Sequence, residues 1–288
     1  MKIIRKPAEA ASLTDTWHRD GLTVGFVPTM GYLHPGHLSL IQKAREENQR
    51  VVVSIFVNPL QFGPKEDFSR YPRNEQRDLA LCREARVDMV FIPSAEDMYP
   101  SPLLTFVDVG SLGDGLCGAS RPGHFRGVAT VVAKLFHIIR ADRAYFGEKD
   151  AQQLAIIQRM TRDLDFGVEI VSCSIVRDPD GLAMSSRNTF LSPEERKAAL
   201  SLSRGLFLAR QSLEQGERSM DHILKIIRQE LDRECLVKVD YVAAVDPESL
   251  KPVAGFPEGS ARRVLLAVAA FAGKTRLIDN IRYLEECI

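Results

Sequence analysis

What this chain lacks narrows it first. Cysteine is scarce and odd in number, with Cys82, Cys117, Cys173, Cys235 and Cys287 scattered over 288 residues. No C-x-x-C pair occurs, so neither a disulfide framework nor a zinc knuckle is implied, and buried thiols are the expectation. An excess of one charge is also missing, because 38 Lys plus Arg balance 38 Asp plus Glu. Without a global field, nothing favours nucleic acid or an anionic membrane as partner, and any anion site must be local. Long apolar runs are absent. The opening MKIIRKPAEAASLTD has basic residues but no apolar core of signal-peptide length, and no stretch approaches the roughly 18 apolar residues of a membrane span. A cytosolic location is the expectation. Internal repeats and low-complexity segments are not found.

What remains is an ordinary globular composition, 45% hydrophobic and 26% charged, in a chain long enough for two domains. Residues 22 to 27 (LTVGFV) read as a strand. Residues 36 to 49 form an amphipathic helix with Leu38, Leu40, Ile41 and Ala44 on one face, and 51 to 57 (VVVSIFV) a buried strand. The alternation continues with a helix near 74 to 86, the strand DMVFIP, a helix near 124 to 140, a fourth strand RAYFG, a helix near 150 to 163 and the strand VEIVSCSIV. Such alternation implies an α/β fold, a Rossmann-type parallel sheet with helices on both faces. After RDPDGLAMSSRNTFL the pattern changes. Ser192, Pro193 and Glu195 make a strong helix start, two helices follow, and the runs VKVDYVAAV and RVLLAVAAF read as strands. The expected division is residues 1–176 as the Rossmann-type domain and 177–288 as a smaller α+β domain.

Two phosphate-loop lookalikes fail on context. GDGLCG, with Gly113, Gly115 and Gly118, is followed by ASRPG, which breaks a helix where the dinucleotide fingerprint needs one to begin. AGKT at 272–275 ends like a Walker loop, but the required first glycine falls at Val268, inside a strand-like run.

In open parallel sheets ligands sit beyond the carboxyl ends of the strands, so the strand-to-helix loops carry the argument. The first is PTMGYLHPGH. A helix N-terminus there offers unpaired N–H groups, Gly31 and Gly36 allow close backbone approach, and His34 and His37 can donate to phosphate oxygens. A structural histidine pair and a metal pair compete with this, although a His-x-x-His with no nearby acid or cysteine makes metal the weaker competitor. The second loop is YFGEKDAQQ. Asp150 and Gln153 fit a capping box, whereas Lys149 is a cation placed against the helix dipole and so is better explained by an anion to hold, with a solvated surface lysine as the main competing reading. The third, GLAMSSRN, sets two hydroxyls beside Arg187, whose fork suits phosphate oxygens; a surface turn would look similar. A fourth segment, FVNPLQFGPKEDFSRYPR, offers Asn58, Gln61, Tyr71 and Arg73 for a small polar substrate or for loop satisfaction. RPGHFRGVAT adds Arg121 and His124, which would also suit a solvated helix start. Phosphoryl or nucleotidyl chemistry leads.

At this point the motifs resemble a known family. HPGH resembles the HIGH motif, and AMSSR, more loosely because it lacks both lysines, the KMSKS loop of class I aminoacyl-tRNA synthetases and nucleotidylyltransferases. In order along the chain, FVPTMGYLHPGHLSL, SIFVNPLQFGPKEDFSRYPR, RPGHFRGVATVV, YFGEKDAQQL, MSSRN and KTRLIDNI are similar to the pantothenate synthetases. The resemblance implies Mg²⁺-dependent condensation of (R)-pantoate with β-alanine, ATP being cleaved to AMP and pyrophosphate, in a homodimer whose C-terminal domain acts as a lid. It implies ATP contacts for Met30, Gly31, Tyr32, Leu33, His34, Pro35, Gly36 and His37. Gly147, Glu148, Lys149, Asp150, Val176, Met184, Ser185, Ser186 and Arg187 complete the implied nucleotide set. Gln61 and Gln153 would hold pantoate, Gln61 also lying near β-alanine, and His37 would be the proton donor, with His34, Lys149 and Arg187 as its catalytic companions. No metal ligands are assigned. The alternatives are a nucleotidylyltransferase, which would keep the nucleotide in its product, and a nucleotide-binding module without activity.

Overall fold

The expected alternation builds the first part of the chain. The computed structural model describes residues 1–64, 66–256 and 262–285. In chain order the first part contains β1 (Lys2–Ile4), α1 (Pro7–Arg19), β2 (Val24–Thr29), α2 (Pro35–Glu47), β3 (Arg50–Ile55), α3 (Glu75–Glu84), β4 (Met89–Phe91) and α4 (Ala95–Met98). Then follow α5 (Cys117–Ser120), α6 (His124–Ile139), β5 (Arg143–Gly147), α7 (Ala151–Asp163) and β6 (Glu169–Cys173). Six strands form one sheet in the order β1-β4-β3-β2-β5-β6, every pairing parallel. Expected boundaries move by up to three residues. The strand read as VEIVSCSIV stops at Cys173 because its partner β5 stops opposite, at Gly147.

One local feature positions the site. Leaving out the edge strand β1, the chain order across the sheet reverses between β2 and β5, the switch point at which open α/β sheets bind ligands. β2 pairs with β3 along its full length, but with β5 only at Gly25↔Arg143 and Phe26↔Ala144. Residues of β2 alternate in direction: Val24 accepts from Asp142 on the β5 side, and Thr29 from Phe56 on the β3 side. Pro28 therefore faces β5, and it has no N–H to give. Pairing between the two strands therefore stops short of their carboxyl ends.

On one face α2 and α3 cover Val27, Val51, Val53 and Val90, while Phe26, Val52 and Phe91, all fully buried, point to the other. There α6 buries most of its circumference, from Phe125 to Ile139.

A second unit comprises residues 115–120, 149–155 and 175–288; residues 1–114, 121–148 and 156–174 form the first. The second contains α8 (Pro193–Glu214), α9 (Met220–Asp232) and the antiparallel sheet β7 (Val237–Val245), β8 (Arg262–Ala272) and β9 (Thr275–Glu285). Its core joins Leu202, Leu206 and Leu213 of α8 to Ile223 and Ile227 of α9 and Val264, Leu266 and Val268 of β8. The expected start of α8 is present: the Glu195 N–H donates to Ser192 Oγ at 3.2 Å, and the Ser192 N–H to the Glu195 carboxylate at 2.9 Å.

Five elements were not expected: β1, α1, the four-residue helices α4 and α5, and β9. β1 spans three residues and α1 begins at Pro7 without a side-chain cap, so neither announces itself in the sequence; RAYFG is in consequence the fifth strand. In β9 the polar Asp279 and Asn280 interrupt the apolar alternation. The two dismissed lookalikes sit where context placed them. GDGLCG leads only into the four-residue turn α5, and Val268 lies within β8 with Gly273 in the following turn. The cysteine expectation needs correction. Cys82 and Cys117 are buried, but Cys173 is intermediate and Cys235 exposed; Cys287 lies outside the described residues. Burial pushes the Cys82 thiol up to about 12.

Candidate active site

The loop after β2 is held by a residue that sequence reasoning passed over. Asp78 of α3 is 1% exposed, and its carboxylate accepts the backbone N–H groups of Tyr32 and Leu33, each at 2.7 Å. Thr29 adds a second clamp, its Oγ1 accepting from the Gly31 N–H at 3.0 Å and donating to the Ser54 carbonyl at 2.8 Å. Gly31 is required here, since its φ is +81° and a Cβ would stand 2.8 Å from Ile55 Cγ2. Tyr32 is also left-handed, at φ +50°, with the Arg77 guanidinium 5.1 Å above its ring. Burial raises the Asp78 carboxyl above its ordinary value, opposed by the two N–H donors and Arg77. Asp78 shares the stripe of Leu79 and Cys82, the buried residues of α3; an acid on an apolar stripe is the signal that could have found it.

The histidines stand at the helix start that this clamp fixes. His34 caps α2, Pro35 takes the first helical position and His37 the third. Their rings lie 3.9 Å apart between centroids. The His34 N–H donates to His37 Nδ1 at 3.3 Å. Because Nδ1 accepts, the neutral ring carries its proton on Nε2, so His37 is prepared as a donor from that atom.

The same unit brings Gln61 to this loop. Gln61 is 7% exposed, and its Nε2 lies 3.2 Å from Met30 Sδ while its Oε1 accepts from Asn58 Nδ2 at 3.2 Å. Asn58 is a fixture: Oδ1 accepts from Tyr99 and from the Leu60 N–H, and Nδ2 also donates to the Gly127 carbonyl. Behind it, His124 Nδ1 meets the Gln61 carbonyl at 2.8 Å and His124 Nε2 meets Arg121 Nη1 at 3.0 Å. A carbonyl only accepts and a guanidinium only donates, so His124 is neutral with its proton on Nδ1. Arg121 is also paired with Glu66. Arg121 and His124 thus brace the Gln61 loop, and neither is the solvated helix start that was their alternative reading. Arg73 donates to the carbonyls of Tyr71 and Phe68, the loop-satisfying alternative.

The second unit holds the other group. Glu148–Asp150 form a 3₁₀ turn running into α7. The Lys149 side chain is 19% exposed and its Nζ is 4.0 Å from the Asp150 carboxylate, so it is no fully solvated lysine. Its backbone carbonyl accepts from Asn280 Nδ2 at 2.9 Å. Gln153, partly buried, lies on the first turn of α7. The loop from Val176 to Arg187 folds on itself through an Arg177↔Ala183 bridge and a 3.0 Å bond from the Met184 N–H to the Val176 carbonyl. Ser185 then caps a 3₁₀ turn by accepting from the Arg187 N–H, and Asn188 donates to the Ala183 carbonyl. Thus Lys149, Asp150 and Gln153 belong with Val176 and Met184–Arg187, and Met30–His37 belong with Gln61.

Among the described residues no group of three or more His, Cys, Asp or Glu side chains is placed to hold a metal ion, and no helix is long and apolar enough to cross a membrane. Magnesium bound mainly through nucleotide phosphates needs only one or two protein carboxylates, and the exposed Asp150 fits that smaller demand.

A sheet switch point beside a histidine-bearing helix start is the arrangement of a nucleotide-handling α/β protein. Comparison with known proteins makes this specific. The sequence model of the pantoate-beta-alanine ligase family matches residues 2–282, and the chain belongs to that family. It is 56% identical over 281 residues to the pantothenate synthetase of Heliobacterium modesticaldum, covering 98% of this chain and 99% of that one. With the pantothenate synthetase of Thermotoga petrophila it shares 54% over 280 residues, 97% and 99% of the two chains. The crystal structure of the Thermus thermophilus pantothenate synthetase is similar at TM-score 0.90 and 48% identity, covering 98% and 99%. The Francisella tularensis pantoate-beta-alanine ligase, complexed with beta-gamma ATP and beta-alanine, is similar at TM-score 0.78 and 33% identity, covering 98% and 97%.

Proposed function

We propose that this protein is an ATP-dependent ligase that joins (R)-pantoate to β-alanine in two steps. The pantoate carboxylate attacks the α-phosphorus of ATP, the bond to the β-phosphate breaks, and pyrophosphate leaves. The amine of β-alanine then attacks the acyl carbon of the adenylate, AMP departs with the bridging oxygen, and the amine proton is released. The supporting observation is His37: its Nδ1 takes the His34 N–H, leaving an Nε2–H donor at a helix N-terminus, where negative charge is favoured.

In this proposal ATP contacts Met30 through His37, Gly147 through Asp150, Val176, and Met184 through Arg187. Gln61 and Gln153 hold pantoate, Gln61 also adjoins β-alanine, and His37, His34, Lys149 and Arg187 stabilise the phosphate charge. Mg²⁺ arrives with ATP and neutralises phosphate charge when bound. For the amide step, orientation of the amine beside a reactive adenylate supplies effective concentration without a dedicated base. A cytoplasmic homodimer whose second unit serves as lid completes the proposal. The test is pyrophosphate release from ATP with pantoate alone, followed by AMP and amide once β-alanine is added. Absence of pantoate-dependent pyrophosphate would sink the ligase, and labelled nucleotide retained in a stable product would identify a nucleotidylyltransferase.

A further inference from the structure

We infer that Asn280, supported by Asp279, is a positioning residue for adenylation: it sets the main chain of Lys149 and ties that loop to the loop carrying Met184–Arg187. This rests on Lys149 acting as a phosphate ligand.

The two residues are consecutive on β9, and each is 3% exposed. They lie midway along β9, an edge strand of the three-stranded sheet, opposite the apolar Val268 and Ala267 of β8. Hydrophobic side chains of similar volume would hold such a sheet at least as well, so stability gives no reason for burying an acid and an amide there. What they touch gives one. Asn280 Nδ2 donates to the Lys149 carbonyl at 2.9 Å. Asp279 takes the Arg177 guanidinium in a two-point grip, at 2.6 and 2.9 Å. Arg177 also donates to the Gly181 carbonyl at 3.1 Å and stacks 5.0 Å from the Phe207 ring. Through its bridge to Ala183, Arg177 closes the turn whose ends are Val176 and Met184. The pair is itself locked, the Asn280 N–H donating to Asp279 Oδ1 at 2.7 Å.

Two loops far apart in sequence are therefore indexed to adjacent residues of one strand. A second observation agrees: residues 149–155 group with 175–288, although β5, which delivers them, belongs to the other unit. Lys149 is thus held where the second unit holds it. A misplacement of about 1 Å in such a group costs on the order of 10²-fold in rate.

The experiment is a double-mutant cycle read by pantoate-dependent pyrophosphate release at saturating ATP and pantoate, with thermal unfolding in parallel. Asn280→Ala removes the donor, and Asn280→Leu removes it while filling the space, so that at least one variant folds. Expected is a loss of roughly tenfold or more in kcat, and less than about twofold from the same change in a Lys149→Ala background, because the residue it positions is gone. Equal losses in both backgrounds, or full turnover in a folded Asn280 variant, would overturn the inference. If Lys149→Ala alone leaves turnover intact, the phosphate role of Lys149 fails first and the inference goes with it; the single-variant arms separate the two failures.

Discussion

The histidine loop and the lysine loop are immobilised in opposite chemical ways. In the first unit a buried carboxylate, Asp78, receives two backbone N–H groups; in the second a neutral amide, Asn280, gives one hydrogen to a backbone carbonyl. The difference follows from what each loop must present. Tyr32 and Leu33 precede the cap of α2, so giving their N–H groups to an anion behind the loop fixes its course without using those of the helix start. A strand-to-helix turn that bears a lysine needs its main chain held without another charge competing for the ammonium, and an amide does that. A titratable anchor and a non-titratable one therefore serve the same proposed site, and they should respond differently to mutation and to pH.

The largest effect is expected at the groups the anchors present. His37→Ala and Lys149→Ala, with fold retained by circular dichroism, should each lower pantoate-dependent pyrophosphate release by roughly 10²- to 10³-fold, the usual cost of one preorganised donor. Similar losses would mean that both loops serve the adenylation step. Near-normal release in either variant would confine that step to one loop and break the comparison.

Next in size is a contrast between the acids behind the loops, measured as stability. Asp279→Ala leaves the Arg177 guanidinium its carbonyl contacts and the Phe207 ring but takes away its counter-charge, and breaking a buried pair costs about 3–5 kcal/mol. Because the Arg177 side chain is 17% exposed, the lower end is expected, about 3 kcal/mol by urea denaturation. Asp78→Ala instead strands two N–H groups, each costing about 1 kcal/mol or somewhat more. A larger loss from Asp78→Ala than from Asp279→Ala would reverse that order.

These anchors also mark how far the sequence could be read. The alternating sheet, the Ser192 helix start and the four candidate loops were legible because strand period, caps and the Gly-Pro-His pattern are local signals. Asp78 was not, since its partners Tyr32 and Leu33 lie more than forty positions earlier, and an acid within a helix reads as solvated. Asn280 was seen within KTRLIDNI, but its bond to Lys149 spans 131 positions. His124 shows the same limit from the other side. Its local context fits a helix start, and only the Gln61 carbonyl at 2.8 Å turns it into a brace. Sequence patterns single out candidate loops; tertiary partners determine which residues hold those loops still.

The smallest predicted effect separates the anchors by pH. Burial raises the Asp78 carboxyl above the ordinary value of 3.8, so the folded protein binds that proton more tightly than the unfolded chain does. The sign follows: the stability that this protonation contributes is fully present below the ordinary value and is lost as pH rises through the raised one. Asp78→Asn removes the titration while keeping an oxygen acceptor. The stability of the parent protein minus that of Asp78→Asn should therefore fall as pH rises from about 4, then level off. The same difference taken for Asn280→Leu should be independent of pH, because an amide has no proton to exchange in this range. Urea denaturation at a series of pH values from about 4 to 8 gives both curves. A difference for Asp78 that is flat or rises with pH would mean that the two N–H donors outweigh burial, and the titratable anchor would then behave like the neutral one.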